Sequence, residues 1–193
     1  MVQDIHSSYV SNGYTFINYI ELSDEEKKLV WEWRNTEGIR KWMYNKDFIP
    51  FENHIKFISL LPEKMDSCYW LVYNKVKKPI GAFYLAQVDK DKEFAEIGYY
   101  MNPSRMGDGL AFLKECIFFF FNVLCFTKPL FGVYYVNKEG YMLDSFLGCV
   151  FDKRIEVNNE EYFVSTNLNK EIFMKRYNLS LSDYVSFIRK FKQ

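Results

Sequence analysis

Gly107 and Gly109 stand between a strand-like segment and a long apolar run, and that spacing suits the binding of an anion. Residues 93–122 read EFAEIGYYMNPSRMGDGLAFLKECIFFFFN. The aromatic and β-branched residues of 93–101 form a strand. Asn102-Pro103 ends it, because proline has no N–H to give to a ladder. Residues 110–124 carry no Gly or Pro and read as a buried helix. Strand, glycine loop and helix together aim free backbone N–H groups at an anion, with the positive end of the helix dipole behind them. Arg105 stands ahead of the glycines as a further cation. A Walker loop ends in Gly-Lys-Ser/Thr, whereas Gly109 is followed by Leu110; a dinucleotide loop needs three glycines and a later acid. The same glycines also suit a plain strand-to-helix turn, and the loop alone leaves both readings open.

The elements that must position this loop follow from composition and pattern. Of the 193 residues 49% are hydrophobic and 20% aromatic, which excludes a disordered chain. The formal net charge is zero and the basic residues are scattered, which argues against a nucleic-acid binder. Cys68, Cys116, Cys125 and Cys149 have no metal-type spacing, and with only His6 and His54 beside them no metal site is expected. The cysteines read as small core residues of a reduced protein. The N-terminus has no signal pattern, and the apolar run 116–126 is too short to span a bilayer. A single domain over residues 1–193, cytoplasmic and without a membrane segment, is the expectation.

Residues 1–13 read as polar and loose, and 14–20 as a first strand. Ser23 and Glu26 form a capping box opening a helix with Leu29, Val30 and Trp33 on one face. A short helix over 39–44 and another from Pro50 to Leu61 follow. Strands over 68–73, 79–88 and 93–101 are antiparallel, the last two joined by the tip 89–92. After the helix 110–124 come a strand at 130–136, a helix at 137–147 stopped by Gly148, and a hairpin of 151–157 with 161–166 across Asn158-Asn159. Residues 170–193 form a helical tail, amphipathic at Tyr184, Phe187, Ile188 and Phe191. The order predicts an α/β (α+β) domain, a mostly antiparallel mixed sheet flanked by helices with a C-terminal helical extension.

From about residue 14 to 166 this order resembles the GNAT acyltransferase superfamily, whose loop pattern is Gln/Arg-x-x-Gly-x-Gly/Ala. Here it reads Ser104-Arg105-Met106-Gly107-Asp108-Gly109, with serine in the first place and arginine one residue late. Downstream, Asn137 and Leu143-Asp144-Ser145-Phe146-Leu147-Gly148-Cys149 resemble the family's Asn and Leu-Tyr-x-x-x-Gly-Phe, with Asp144 in place of tyrosine and Cys149 in place of phenylalanine. Trp33-Arg34-Asn35, the run Ile39-Arg40-Lys41-Trp42-Met43-Tyr44, His54 and Phe57 are similar to the enzymes that acylate nucleotide-linked amino sugars, those of the pseudaminic acid pathway among them.

The resemblance implies an N-acyltransferase in which a sugar amine attacks an acyl-CoA thioester directly. The donor is acetyl-CoA or a larger hydroxyacyl-CoA such as hydroxybutanoyl, and the acceptor a UDP- or dTDP-linked amino-dideoxy sugar of a surface glycan. Met101, Arg105, Met106, Gly107, Asp108, Gly109, Leu110 and Asn137 are then the coenzyme site, with the Met101 backbone N–H as oxyanion donor where a strand bulge splays the cleft. Asn137 equally suits a helix cap. Glu96 is the carboxylate on the cleft strand and also fits an ordinary surface position. Asp144 protonates the thiolate only if burial raises its pKa, and otherwise is a helix-surface aspartate. Trp42, Met43, Tyr44 and Phe57 suit a nucleobase slot or a plain core seam. Arg34 pairs with a diphosphate or with Glu37 or Asp47; Asn35, His54 and Tyr99 complete the substrate side, His54 also fitting polar packing. Two alternatives stand beside this: a GNAT enzyme for another amine, such as a protein N-terminus, and a non-catalytic coenzyme A-binding protein. Aromatic surface is compatible with a homodimer.

Overall fold

A computed structural model describes residues 1–191, excepting the side chains of Arg105 and Met106. The first surprise in it is order at the start of the chain. Tyr9–Ser11 (β1) pairs antiparallel with Tyr14–Asn18 (β2), and Ile5 is fully buried. Asn12 and Gly13 both take positive φ, the conformation a two-residue hairpin requires. The expectation of a loose N-terminus is thus wrong, because the Asn-Gly signal outweighs the polarity of its surroundings.

Ser23 caps Asp24–Asn35 (α1), and Glu26 completes the capping box. The helix expected at 39–44 is instead one turn, Glu37–Arg40 (α2), followed by irregular chain, and Phe51–Leu60 is α3. The strands Cys68–Tyr73 (β3), Pro79–Asp89 (β4) and Phe94–Met101 (β5) follow as expected. Gly109–Phe118 (α4) continues through a π-helical turn, Phe119–Val123. Lys128–Tyr134 is β6, two residues earlier than the pattern suggests, since Asn137 N–H closes a turn onto Tyr134 O. Lys138–Phe146 (α5) ends at Gly148, whose φ of +110° suits glycine. Lys153–Val157 (β7) and Glu160–Ser165 (β8) form the last hairpin, with Asn158 and Asn159 at positive φ. The tail is two helices, Lys170–Tyr177 (α6) and Leu181–Phe191 (α7), because Ser180 and Asp183 cap a fresh start. Among the described residues no helix is long and apolar enough to cross a membrane.

The eight strands run β1-β2-β3-β4-β5-β6-β8-β7, antiparallel throughout except for the parallel pair β5–β6. Side-chain alternation splits the core between the two faces. On β3, Trp70 and Val72 join one cluster with α4, while Leu71 joins Val30, Trp33 and Ile58 of α1 and α3 in the other. The run Phe118–Phe121 ends a helix that is mostly apolar because most of it is covered, Ala111 being exposed and Lys114 partly so. Phe119 stacks on Phe16 at 4.0 Å and meets Trp70 and Phe83 edge-on, while Phe121 reaches Phe173 of α6. Cys68, Cys116 and Cys149 are buried as small core residues, whereas Cys125 is only half-buried at a positive φ.

Phe119 is the keystone of the larger cluster. Phe119→Ala is expected to cost about 3–5 kcal/mol, because its neighbours Tyr9, Phe16, Trp70 and Phe83 cannot close the void together. Urea unfolding followed by tryptophan fluorescence measures it; a midpoint equal to wild type would show that the cluster repacks freely.

Candidate active site

The parallel ladder between β5 and β6 runs from Phe94↔Lys128 to Ile97↔Phe131 and stops. Beyond it β5 stays on β4 as far as Met101, and β6 stays on β8 as far as Tyr134, so the two strands part. A cavity of about 530 Å³ occupies the gap. Alternation sends Glu96, Gly98 and Tyr100 toward the α1–α3 face, and Ile97, Tyr99 and Met101 toward α4. Each parted strand carries a glycine beneath a tyrosine. A Cβ on Gly98 would overlap the Tyr84 ring, and one on Gly132 would strike Tyr44 Oη. Both glycines therefore hold ring space at the cavity wall.

On the α1–α3 face the chemistry centres on Glu96, which is buried. Tyr44 Oη donates to its Oε1 at 2.7 Å and Gln87 Nε2 to its Oε2 at 2.6 Å. Gln87 reaches across because a bulge in β4 sets it at a positive φ. Burial, then the charge of Glu96, holds the Tyr44 phenol above its ordinary range, so Tyr44 remains a donor. Trp42, Met43, Tyr84, Tyr134 and Tyr162 line the same end. Tyr84 Oη donates to Met43 Sδ at 3.9 Å, and Trp42 and Tyr134 lie 6.3 Å apart, tilted. Lys41 sits over the Trp42 ring at 4.7 Å and Lys46 over Tyr134 at 3.9 Å, Lys46 also pairing with Glu160. The arrangement offers a buried carboxylate that can take a proton, inside an aromatic mouth rimmed by cations.

On the other face Tyr99 Oη donates to Asp144 Oδ1 at 2.8 Å. Asp144 is only 3% exposed, and burial pushes its carboxyl up to about 7, with the Tyr99 bond offsetting part of the rise. The group can therefore carry a proton near neutrality, as an acid must. Burial and then Asp144 push the Tyr99 phenol far upward. Asn102 N–H donates to Ile80 O on β4, so the N–H of Met101, one residue back, faces the parted edge. The opening is at Gly98, where the ladder ends, rather than at a bulge near Met101. The glycine loop is wound as a 3₁₀ helix, Pro103–Asp108, with Asn102 Oδ1 accepting from Ser104 N at 2.9 Å. It runs straight into α4, and Gly107, Gly109 and Leu110 line the cavity. A Cβ on Gly109 would make ordinary contact with Met101 and Leu143, whereas at Gly107 the space is open. Asn137 caps α5 as expected, its Oδ1 accepting from Gly140 N at 3.1 Å, and it also lines the cavity. The side chains of Arg105 and Met106 lie outside the described residues.

Among the described residues, five expected site residues do not line the cavity. Arg34 Nη2 donates to Asn45 O at 2.7 Å, rather than to Glu37 or Asp47, and its Nη1 is buried without a partner. Asn35 grips the backbone of Ile49 with both ends of its amide, at 2.8 and 3.0 Å. His54 is buried with Nε2 3.0 Å from Lys27 O, and burial lowers its pKa, which keeps it neutral. Phe57 packs edge-on against Tyr69 at 5.1 Å. Asp108 is exposed and makes no side-chain cap to α4. The first two residues instead fix the 41–50 chain that carries Trp42, Met43 and Tyr44. Conversely Gln87, Tyr84, Tyr134 and Tyr162 join the site unforeseen, and Leu181, Tyr184 and Ile188 of α7 bring the helical tail to it. Glycines inside two strands were the one sequence signal of close approach there.

No family model matches the chain. It is 30% identical over 126 residues to acetyltransferase PseH of Campylobacter jejuni subsp. jejuni serotype O:23/36 (strain 81-176), covering 65% of this chain and 78% of that protein. It is 31% identical over 107 residues to acetyltransferase PseH of Campylobacter jejuni subsp. jejuni serotype O:2, covering 55% and 66%. Among solved structures, the N-acetyltransferase PseH of Campylobacter jejuni in complex with acetyl coenzyme A superposes with a TM-score of 0.62 at 22% identity, over 80% of this chain and 99% of that one. The spermidine N-acetyltransferase of Vibrio cholerae in complex with CoA and spermine gives 0.72 at 13% identity, over 85% and 99%. The structural likeness establishes the GNAT fold, and identity of 30% along 78% of a PseH acetyltransferase makes this chain a member of the PseH family of N-acyltransferases.

Proposed function

We propose that the chain transfers an acyl group from acyl-CoA to the amino group of a nucleotide-linked (UDP- or dTDP-) amino-dideoxy sugar, in the making of a surface glycan of the pseudaminic acid type. The observation that carries the reading is the pair of buried carboxyls on opposite faces of one gap, each bonded to a phenol: Glu96 with Tyr44, Asp144 with Tyr99. Two substrates entering from opposite faces meet where the strands part. Glu96 accepts the proton of the amine, directly or through water, as nitrogen attacks the thioester carbonyl. The Met101 N–H stabilises the oxyanion. As the C–S bond breaks, sulfur takes a proton from the Tyr99–Asp144 pair, in which neutral Asp144 makes good what Tyr99 gives. Gly107, Gly109, Leu110 and Asn137 hold the coenzyme. Family membership and the acetyl-CoA complex of the Campylobacter PseH support acetyl as the acyl group; a larger hydroxyacyl group such as hydroxybutanoyl is the variant for comparison.

The acceptor mouth favours this class of substrate over the polyamine of the Vibrio enzyme. Lys41 and Lys46 beside Trp42 and Tyr134 attract a diphosphate and repel a polycation, while the rings suit a base. Free-thiol release over a grid of UDP- and dTDP-linked 3- and 4-amino sugars against acetyl-CoA and hydroxyacyl-CoAs tests it. Turnover in one cell is expected. Silence with coenzyme A still binding by calorimetry would move the acceptor to another amine, and silence without binding would remove the reading.

Glu96→Gln is expected to lower kcat by about a hundredfold or more with the affinity for coenzyme A unchanged, since an amide cannot take the proton. Asp144→Asn has a pH signature. Asp144 is raised to about 7 in the fold, so its acid form is lost as pH climbs through that value. Wild-type kcat should therefore fall above about 7, and this limb should vanish in Asp144→Asn. Stability follows the same sign: a raised folded pKa stabilises at low pH and loses that contribution as pH rises from the usual carboxylate range to about 7. Melting temperatures across that window should show wild type losing ground to the variant; parallel curves would mean that Asp144 stays ionised.

A further inference from the structure

The donor half of the cavity has a wall that belongs to the C-terminal extension. Leu181, Tyr184 and Ile188 of α7 fall at i, i+3 and i+7, one face of a helix, and all three line the cavity with Leu143, Asp144 and the glycine loop. Yet no residue of α7 is fully buried. Tyr184 and Phe187 rest on Phe146 of α5 at 5.1 and 5.4 Å. The helix start is held by the Ser180–Asp183 cap and by Lys114 of α4, whose Nζ donates to Leu179 O. Behind it α6 is anchored through the buried Phe173. The apolar stripe of α7 is thus half satisfied by the body of the protein, and its remainder faces an opening. An amphipathic helix in this position wants an apolar occupant.

Resting on the acyl-CoA reading above, we infer that α7 is a recognition element for the donor, with Leu181 and Ile188 packing against the pantetheine arm of the coenzyme and Tyr184 beside the thioester end. The arm is the apolar-and-amide stretch between diphosphate and sulfur, so it must cross from the loop 103–109 to the Tyr99–Asp144 pair. Leu110, Leu143 and α7 flank that crossing. Tyr184 lies between Leu181 and Ile188 on the helix and lines the cavity together with Glu139 and Asp144. Leu181 is 60% exposed although it lines the cavity. That exposure is what a side chain awaiting a ligand looks like, and it makes α7 a determinant of donor affinity.

Coenzyme A titration by calorimetry, with KM for both substrates, tests the inference on the full chain. Leu181→Ala and Ile188→Ala are each expected to weaken coenzyme A binding about three- to tenfold, the loss of one partly buried aliphatic contact. The acceptor KM should stay within about twofold, as for any change remote from its site. Leu181 is too exposed for its truncation to threaten folding. Val185→Ala, on the same helix but off the cavity, should bind as wild type does. Equal binding by all variants would overturn the inference while leaving the acyltransferase reading intact. So would a loss in Val185→Ala matching the others, which would report a loosened helix. A wild-type chain that binds no coenzyme A would remove the acyl-CoA reading and this inference with it.

Discussion

Everything at the site depends on the parting of β5 from β6. A strand inside a sheet must pair its N–H and C=O groups on both edges. Ending the ladder at Ile97↔Phe131 therefore exposes backbone polar groups in the middle of the molecule. The fold tolerates this because β5 keeps β4 and β6 keeps β8 as partners, so each strand loses only one edge. The freed edge then becomes the useful one: its N–H groups are rigidly aimed, as an oxyanion donor needs to be. Gly98 and Gly132 keep the gap from being filled by the strands' own side chains, and lend the space to Tyr84 and Tyr44.

The period of two in a β-strand then divides the labour. Glu96 and Tyr99 are three residues apart and so must lie on opposite faces of β5. Each carboxyl meets a phenol, but in different company. Glu96 receives two donors, Tyr44 and Gln87, which only an acceptor can use. Asp144 receives one and is otherwise enclosed by apolar groups, so burial dominates and its proton is retained to about neutrality. Two carboxyls of one cavity thus sit in different surroundings, as the proposed division into base and acid requires.

The sequence carried the order of elements, because capping, turn and alternation signals act locally. Ser23 and Glu26, the Asn158-Asn159 turn and Gly148 each behave as their chemistry dictates. What it did not carry is pairing at a distance. Nothing in the local pattern says that Gln87 will bend through a bulge to Glu96, or that Tyr134 and Tyr162 will face the loop at Trp42. The N-terminal hairpin is a different miss, since Asn12-Gly13 was legible as a turn and the polar setting masked it. In the tail, amphipathicity at Tyr184, Phe187 and Ile188 was plain; that this stripe faces both Phe146 and the cavity depends on where α6 turns the chain.

Of the two clusters that narrowed the resemblance, Trp42-Met43-Tyr44 lines the cavity and Trp33-Arg34-Asn35 does not, and the reason is physical. Trp33-Arg34-Asn35 sits at the end of α1, where Arg34 holds Asn45 O and Asn35 holds both backbone groups of Ile49. The irregular chain bearing Trp42, Met43 and Tyr44 runs directly into those two anchors. Such a segment has no ladder of its own to fix it, so side chains must supply the missing hydrogen bonds. Only a long forked cation and a two-ended amide reach both points from one helix turn. Tyr44 can meet Glu96 at 2.7 Å only while that frame holds. The WRN motif therefore acts on the cavity indirectly, by holding the loop that presents Trp42, Met43 and Tyr44 to it.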